Sequence, residues 1–312
     1  MKEYILNYYQ DFKCIAGKCQ HTCCAGWEML IDQESLSKYQ NDLSPFSQTL
    51  KSGINFKKSK FKTDKNKRCA FLSSDGLCDI ITNLGENSLC QVCRDHPRFR
   101  SFFDDRTEMG LGFSCEQATN IILSYEHKIL PVLVSDDNDK TEPSLVQKYL
   151  LEFRERALDL VQNRNKDITI RIYELLSLCK ADFSENDFNK ILKLFLSLER
   201  LDKNWTKRLK TLKNTQTKIA TDNSLSIFAE QFLVNSLFRH LYDAEDTMSA
   251  RARTLSCIFS WWIIKNIFEN EKGIQNDFDK ICDIVRAYSS EVEYSQKNLN
   301  KLFNFSYNFI KI

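Results

Sequence analysis

Nine of the chain's twelve cysteines fall in its first 115 residues: Cys14, Cys19, Cys23, Cys24, Cys69, Cys78, Cys90, Cys93 and Cys115. Such a density restricts the front of the chain to two solutions, a disulfide scaffold or a thiolate-rich metal site. Residues 1–10 show no basic stretch followed by an apolar one, so no export signal is expected and a cytoplasmic chain is. Thiols stay reduced there, which favours metal ligation. The odd count and the adjacent pair Cys23 and Cys24 also suit pairwise staples poorly.

Proline and glycine divide the chain the same way. Pro45, Pro97, Pro131 and Pro143 all precede residue 144, and beyond it the only glycine is Gly273. Breakers crowd the front and nearly vanish behind. The expected fold is mainly α: an irregular, cysteine-rich, metal-binding N-terminal domain over 1–135, then an all-helical bundle over 144–312. The polar stretch 135–143 is the expected boundary. Ser144 and Gln147 suggest a capping box ahead of Val146, Leu150, Phe153, Ala157 and Val161. Asp167, Ser184 and Ser224 are placed to cap three further helices. Apolar periodicity continues over 248–268, 274–288 and 291–310. No alternation of short strands with helices is visible, so neither a doubly wound sheet nor a βα-barrel is expected.

Composition excludes other classes. Lys and Arg number 44 against 42 Asp and Glu, a formal charge of +2. That balance gives no general nucleic-acid footprint, and no binding motif appears, so no nucleic-acid partner is expected. The longest apolar candidate, 255–268, contains Ser256, Ser260, Lys265 and Asn266 and falls short of the roughly 20 residues a membrane span needs, so no membrane partner is expected either. Residues 57–68 carry seven basic side chains against one acid, Asp64. This run reads as a solvated loop before Cys69, or as a patch steering an acidic protein substrate.

Cys90 and Cys93, two residues apart, can turn both sulfurs to one centre, while longer gaps bring ligands from separate loops. Thiolate-rich sets select zinc or iron–sulfur, each needing four ligands at one site. Nine thiols exceed one site, which leaves a second site or structural thiols open. Cys179, Cys257 and Cys282 sit in periodic segments and read as small buried hydrophobes.

The string Phe12-x-Cys14, Cys19, Cys23-Cys24-x-Gly26-Trp27, Ile31-Asp32 resembles the opening of the flagellin lysine-N-methylases. Cys69-x-Phe71-Leu72, Gly76-Leu77-Cys78-x-Ile80, Leu84-Gly85, Leu89-Cys90, Cys93-x-x-x-Pro97-Arg98 and Ser114-Cys115 continue that pattern. Phe232-Leu233-Val234-Asn235 with Phe238-Arg239-His240-Leu241 resembles a late helix of the family. The resemblance implies a protein-lysine N-methyltransferase that moves a methyl group from S-adenosylmethionine to lysine ε-amines of flagellin, its protein partner. It also implies a [4Fe–4S] cluster held by the N-terminal cysteines, which raises iron–sulfur above zinc. The competing class is a non-catalytic zinc or iron–sulfur module with a helical interaction domain.

No motif places the methyl donor. A glycine-rich turn after a strand is missing, and Gly26 stands where a radical-type triad after Cys19 and Cys23 would need a third cysteine. Arg94, His96 and Arg98, beside Cys93, are the candidate donor-binding group, since Arg suits planar carboxylates. Trp27 offers either an adenine-stacking face or a core anchor. The catalytic residues are not identified by motif. Asp32 and Asp95 are the acids to test as proton acceptors, although aspartate more often serves as a cap or turn residue.

Overall fold

The computed structural model describes residues 1–138, 141–213, 217–271 and 277–311. These form two units. One comprises Met1–Phe12, Phe99–Ser114 and Ala118–Ile312, and the other Lys13–Arg98 with Cys115–Gln117. Residues 1–12 and 99–114, which composition groups with the cysteines, therefore lie with the helices.

The strands are β1 (Lys2–Leu6), β2 (Ile54–Asn55), β3 (Lys60–Phe61), β4 (Arg98–Phe102), β5 (Arg106–Leu111) and β6 (Pro131–Asp136). The chain is mainly helical, as expected, but the first unit also carries a sheet of order β4-β5-β1-β6. That sheet was not among the expected elements; its strands fall in the front of the chain, where an irregular domain was expected. β1 runs parallel to β5, with Lys2 opposite Arg106 and Ile5 opposite Met109. On its other side β1 pairs antiparallel with β6, Leu6 opposite Pro131. Pairing on both sides satisfies the backbone of a five-residue strand too short to show a sequence period.

Four short helices belong to the second unit: α1 (Gln33–Gln40), α2 (Ser47–Ser52), α3 (Asp79–Leu84) and α4 (Gln91–Asp95). Then follow α5 (Glu116–Ser124), α6 (Leu145–Val161), α7 (Ile168–Leu178), α8 (Phe188–Ser197), α9 (Lys203–Thr211), α10 (Ser226–His240), α11 (Thr247–Asn270), α12 (Phe278–Tyr288) and α13 (Gln296–Ser306). Ser144 caps α6 by accepting from the Gln147 N–H, but the expected box is not closed. Asp104 takes the Ser144 N–H instead, and the Gln147 side chain accepts from Asp104. Asp167 caps α7 as expected, and Ser184 forms a capping box with Asp187 just before α8. Asp222, not Ser224, supplies the cap ahead of α10 by accepting from the Ser224 N–H. α9 was not expected. The stretch expected over 274–288 contains α12, and residues 274–276 lie outside the described residues.

α10 and α11 form the centre of this unit, with Phe232, Phe259, Trp261 and Trp262 fully buried. Tyr8, after β1, donates its hydroxyl to Asn235 on α10, whose amide donates to the Leu111 carbonyl at the end of β5. Among the described residues no helix is long and apolar enough to cross a membrane.

Candidate functional site

All nine N-terminal cysteines lie in the second unit, Cys115 included. No disulfide joins any of the twelve cysteines. The unit's apolar core is Met29, Ile31, Tyr39, Leu50, Ile54, Phe61, Phe71 and Ile80, completed by the buried thiols Cys69 and Cys90. Cys24, Cys78 and Cys93 pack against it, half-buried. Backbone pairing fixes them there. The Cys69 N–H donates to the Cys24 carbonyl at 2.8 Å, Leu72 bridges Cys78, and the Cys93 N–H reaches the Cys90 carbonyl at 3.1 Å.

Cys14, Cys19, Cys23 and Cys115 stand outside that core, Cys14 and Cys23 exposed. Glu116 organises this side. One of its oxygens accepts from the Gln20 N–H at 3.0 Å and the His21 N–H at 3.3 Å, and lies 3.7 Å from the Cys19 sulfur. The loop carrying Cys14 and Cys19 rests on the turn before Cys78. A Cβ on Gly17 would meet the Asp75 carbonyl at 2.7 Å, and Gly76, at φ +80°, makes that turn. Glycine alone fits both positions without strain.

The surroundings shift several of these thiols, some up and some down. Burial pushes Cys69 up to about 12 and Cys19 up to about 11, and raises Cys78. The Cys23 thiol donates to Cys24, which draws Cys24 down to about 7 and Cys23 upward. Cys93 donates to Cys90 with the same split, Cys90 lowered and Cys93 raised. Among the described residues no three His, Cys, Asp or Glu side chains are placed as a ready-made ion site. A metal would displace these thiol protons and draw sulfurs now engaged with each other toward itself. Soft sulfur donors of this kind select thiophilic ions, and five of them lie in or against one apolar core.

Asp32 caps α1 by accepting from the Ser35 N–H at 2.9 Å, while its other oxygen takes the Gln91 N–H at 2.8 Å. Burial raises this carboxyl, but the N–H groups of Gln91 and Ser35 outweigh it and hold it down at about 2. Such a group accepts a proton poorly near neutral pH. Its place at the start of α4 instead makes it the tie that positions Cys90. Asp32→Ala is expected to lower the urea midpoint by the equivalent of roughly 1–2 kcal/mol, the range for a lost cap. An unchanged midpoint would show that Gln91 and Ser35 find other acceptors.

Asp95 ends α4. Arg94 lines a polar cavity of about 180 Å³ with Asp32, Glu34, Lys38, Asp42 and Ser88. Cofactor-sized ligands fill roughly 300–1,000 Å³, so this space does not enclose a whole nucleoside donor. Arg98 donates to the Arg94 carbonyl, and the His96 ring lies 6.5 Å from that of Trp27. Trp27 packs on the core and donates its indole N–H to the Cys23 carbonyl at 2.7 Å. The basic run is partly ordered: Lys60 lies in β3 and pairs with Glu28, and Arg68 bridges Ala25. Sequence reading missed Glu116 and Arg68, whose charge favours the Cys24 thiolate. Glu116 adjoins Cys115, its one local signal.

In the helical unit, Asn235, Arg239 and His240 all lie on α10. Arg239 and His240 share Glu293, at 3.1 and 2.9 Å. A family model described as the FliB lysine N-methylase C-terminal domain matches residues 111–308. The chain belongs to that family. The match takes in this cluster and Cys115, while Cys14 through Cys93 lie before it. The chain is also 26% identical over 125 residues to a Lysine-N-methylase of Salmonella choleraesuis, covering 38% of this chain and 31% of that protein. It is 26% identical over 125 residues to the Flagellar biosynthetic protein FliU of Salmonella muenchen, covering 38% and 74%. A Lysine-N-methylase of Salmonella typhimurium is 26% identical over 121 residues, covering 36% and 30%. The matched stretch thus spans less than a third of the length of either Lysine-N-methylase. No solved structure matches.

Proposed function

We propose that the chain is a cytoplasmic protein-lysine N-methyltransferase acting on flagellin, with S-adenosylmethionine as donor and a [4Fe–4S] cluster on the N-terminal cysteines. The observation that carries this reading is the family match over residues 111–308. The relatives' names, Lysine-N-methylase and Flagellar biosynthetic protein, support the acceptor.

The chemistry sets clear demands. A neutral lysine ε-nitrogen attacks the donor methyl; the N–C bond forms as the methyl–sulfur bond breaks. The sulfur leaves as a neutral thioether, and the new ammonium gives up a proton to a base. Desolvation keeps the attacking lysine neutral. Arg94, His96 and Arg98 remain the candidates for the donor carboxylate, and Asp95 the acid to test as base. The cluster's thiolate bonds would tie together the cysteine loops, with Cys14, Cys19, Cys23, Cys24, Cys69, Cys78, Cys90, Cys93 and Cys115 as the ligand pool.

The test is incubation of the anaerobically purified chain with flagellin and methyl-labelled S-adenosylmethionine, followed by peptide mass spectrometry. Label on flagellin lysines is expected. Absence of transfer by the metal-loaded chain would overturn the assignment.

A further inference from the structure

We infer that β6 is a self-association edge, against which a second copy of this chain lays its own β6 antiparallel, about a two-fold axis through Val132. This association goes beyond the proposed methyl transfer and does not depend on it.

β6 (Pro131–Asp136) ends the sheet on one side, with β1 on its inner edge and no strand on its outer edge among the described residues. Apart from its ladder with β1, no backbone group of residues 131–136 makes a backbone hydrogen bond there. Successive side chains of a strand point to opposite faces. Yet Leu130, Val132, Leu133 and Val134 are each between 45% and 51% exposed, so neither face of this strand is covered. A contiguous apolar strip of this kind marks an interaction site. Edges that stay single commonly carry a lysine or an inward-pointing charge in mid-strand. Residues 129–135 carry no charge at all. Pro131 lacks an N–H, and the bulge where β6 passes Glu3 and Tyr4 adds twist. Both shorten the ladder open to a partner strand without closing it.

Charge at the two ends of the strip selects the occupant. His127 and Lys128 precede the apolar run, and Asp136 and Asp137 follow it. Asp137 meets the Met1 ammonium, whereas Lys128 and Asp136, both exposed, have no ion pair among the described residues. Val132 is the midpoint of Leu130–Val134. An antiparallel pair about a two-fold axis there sets Leu130 of one copy opposite Val134 of the other. The same axis sets Lys128 opposite Asp136 and His127 opposite Asp137. A parallel pair would instead place Asp136 beside Asp136. Opposite charges thus meet once on each side of the axis, the self-complementarity that a two-fold contact between identical chains requires. The strand is six residues long, so the contact is at the small end for a specific interface, with a Kd on the order of 10 µM.

The experiment is sedimentation velocity on the whole chain, purified anaerobically, over about 1–200 µM, a range that brackets this Kd. Wild type is expected to move from the 36.6 kDa of one chain toward twice that mass as concentration rises. Val132→Lys with Val134→Lys changes two exposed positions and is expected to stay monomeric while melting close to wild type. Lys128→Glu turns two exposed attractions into repulsions and is expected to weaken association roughly tenfold. Lys128→Glu with Asp136→Lys restores opposite signs and is expected to recover wild-type association. Wild type that is monomeric throughout would overturn the inference. If that monomer bound flagellin and lost the binding in the Val132→Lys, Val134→Lys variant, the edge would belong to the acceptor protein instead. A dimer untouched by the two lysines would equally overturn it, by placing the contact elsewhere. A dimer weakened by Lys128→Glu and not recovered by the double reversal would overturn the two-fold pairing. Methyl transfer, assayed separately, decides the proposed function whichever way association falls.

Discussion

Glu293→Gln is expected to destabilise the helical unit by about 3–5 kcal/mol, the usual cost of removing one partner from a buried ion pair. For a unit of this size that is a fall in melting temperature of roughly 10 °C. Glu293 closes a π-helical turn, Ser289–Glu293, that follows α12. It accepts from Arg239, His240 and Ser289 while wholly buried. Burial raises the carboxyl, but Arg239 and His240 outweigh it and hold it at about 2, below its ordinary 4.5. Because that value is depressed on folding, the stabilisation is present above the ordinary carboxylate range and fades as pH falls from about 4.5 toward 2. His240 is also lowered, by burial first, so acid begins to cost stability below its ordinary 6.5. The variant is expected to lose the lower-pH part of this dependence, seen in thermal melts followed by helical circular dichroism. A variant that melts with wild type would show that Arg239 and His240 are held by other groups.

The same cluster shows what the sequence discloses and where it stops. Phe238-Arg239-His240 stands out as a motif, yet nothing local links it to Glu293, which lies over fifty residues later. The long-range partner comes from the packing of α10 against the π-helical turn, which no sequence period encodes. Helices were legible where one face is buried and an Asx or Ser residue precedes the run, as at Ser144 and Asp167. Within α11 the buried residues run round the whole helix, so it appears only as an apolar run. The strands were invisible for a different reason. Lys2-Glu3-Tyr4-Ile5-Leu6 alternates too briefly to separate from a turn, and its parallel partner lies a hundred residues away. Among the cysteines, clustering is plain in the sequence. Which thiol faces the core is not, because Cys23 and Cys24 have the same neighbours in the chain and opposite surroundings in the fold. Asp32 was read as a possible base; its two hydrogen bonds, one to a residue 59 positions away, make it a cap.

Stripping the proposed metal is expected to unfold the cysteine unit while leaving α10 and α11 intact. The argument starts from the core. Ten buried residues hold Lys13–Arg98 together, and two of them are the thiols Cys69 and Cys90. Its helices run from five to eight residues and its two strands are two residues each. Helices that short do not persist without tertiary support, and a domain this small buries too little apolar surface to hold much in reserve. Metal on thiolates contributes far more, about 10–16 kcal/mol for structural zinc in small peptides. Hydrogen exchange read by mass spectrometry, before and after anaerobic chelation, separates the contributions. Protection over residues 29–39 and 69–93 is expected to collapse by orders of magnitude, while the peptides of α10 and α11 keep theirs. If 69–93 stays protected without metal, the apolar core of Met29, Phe61, Phe71 and Ile80 suffices, and the cysteines serve chemistry or exchange rather than the fold.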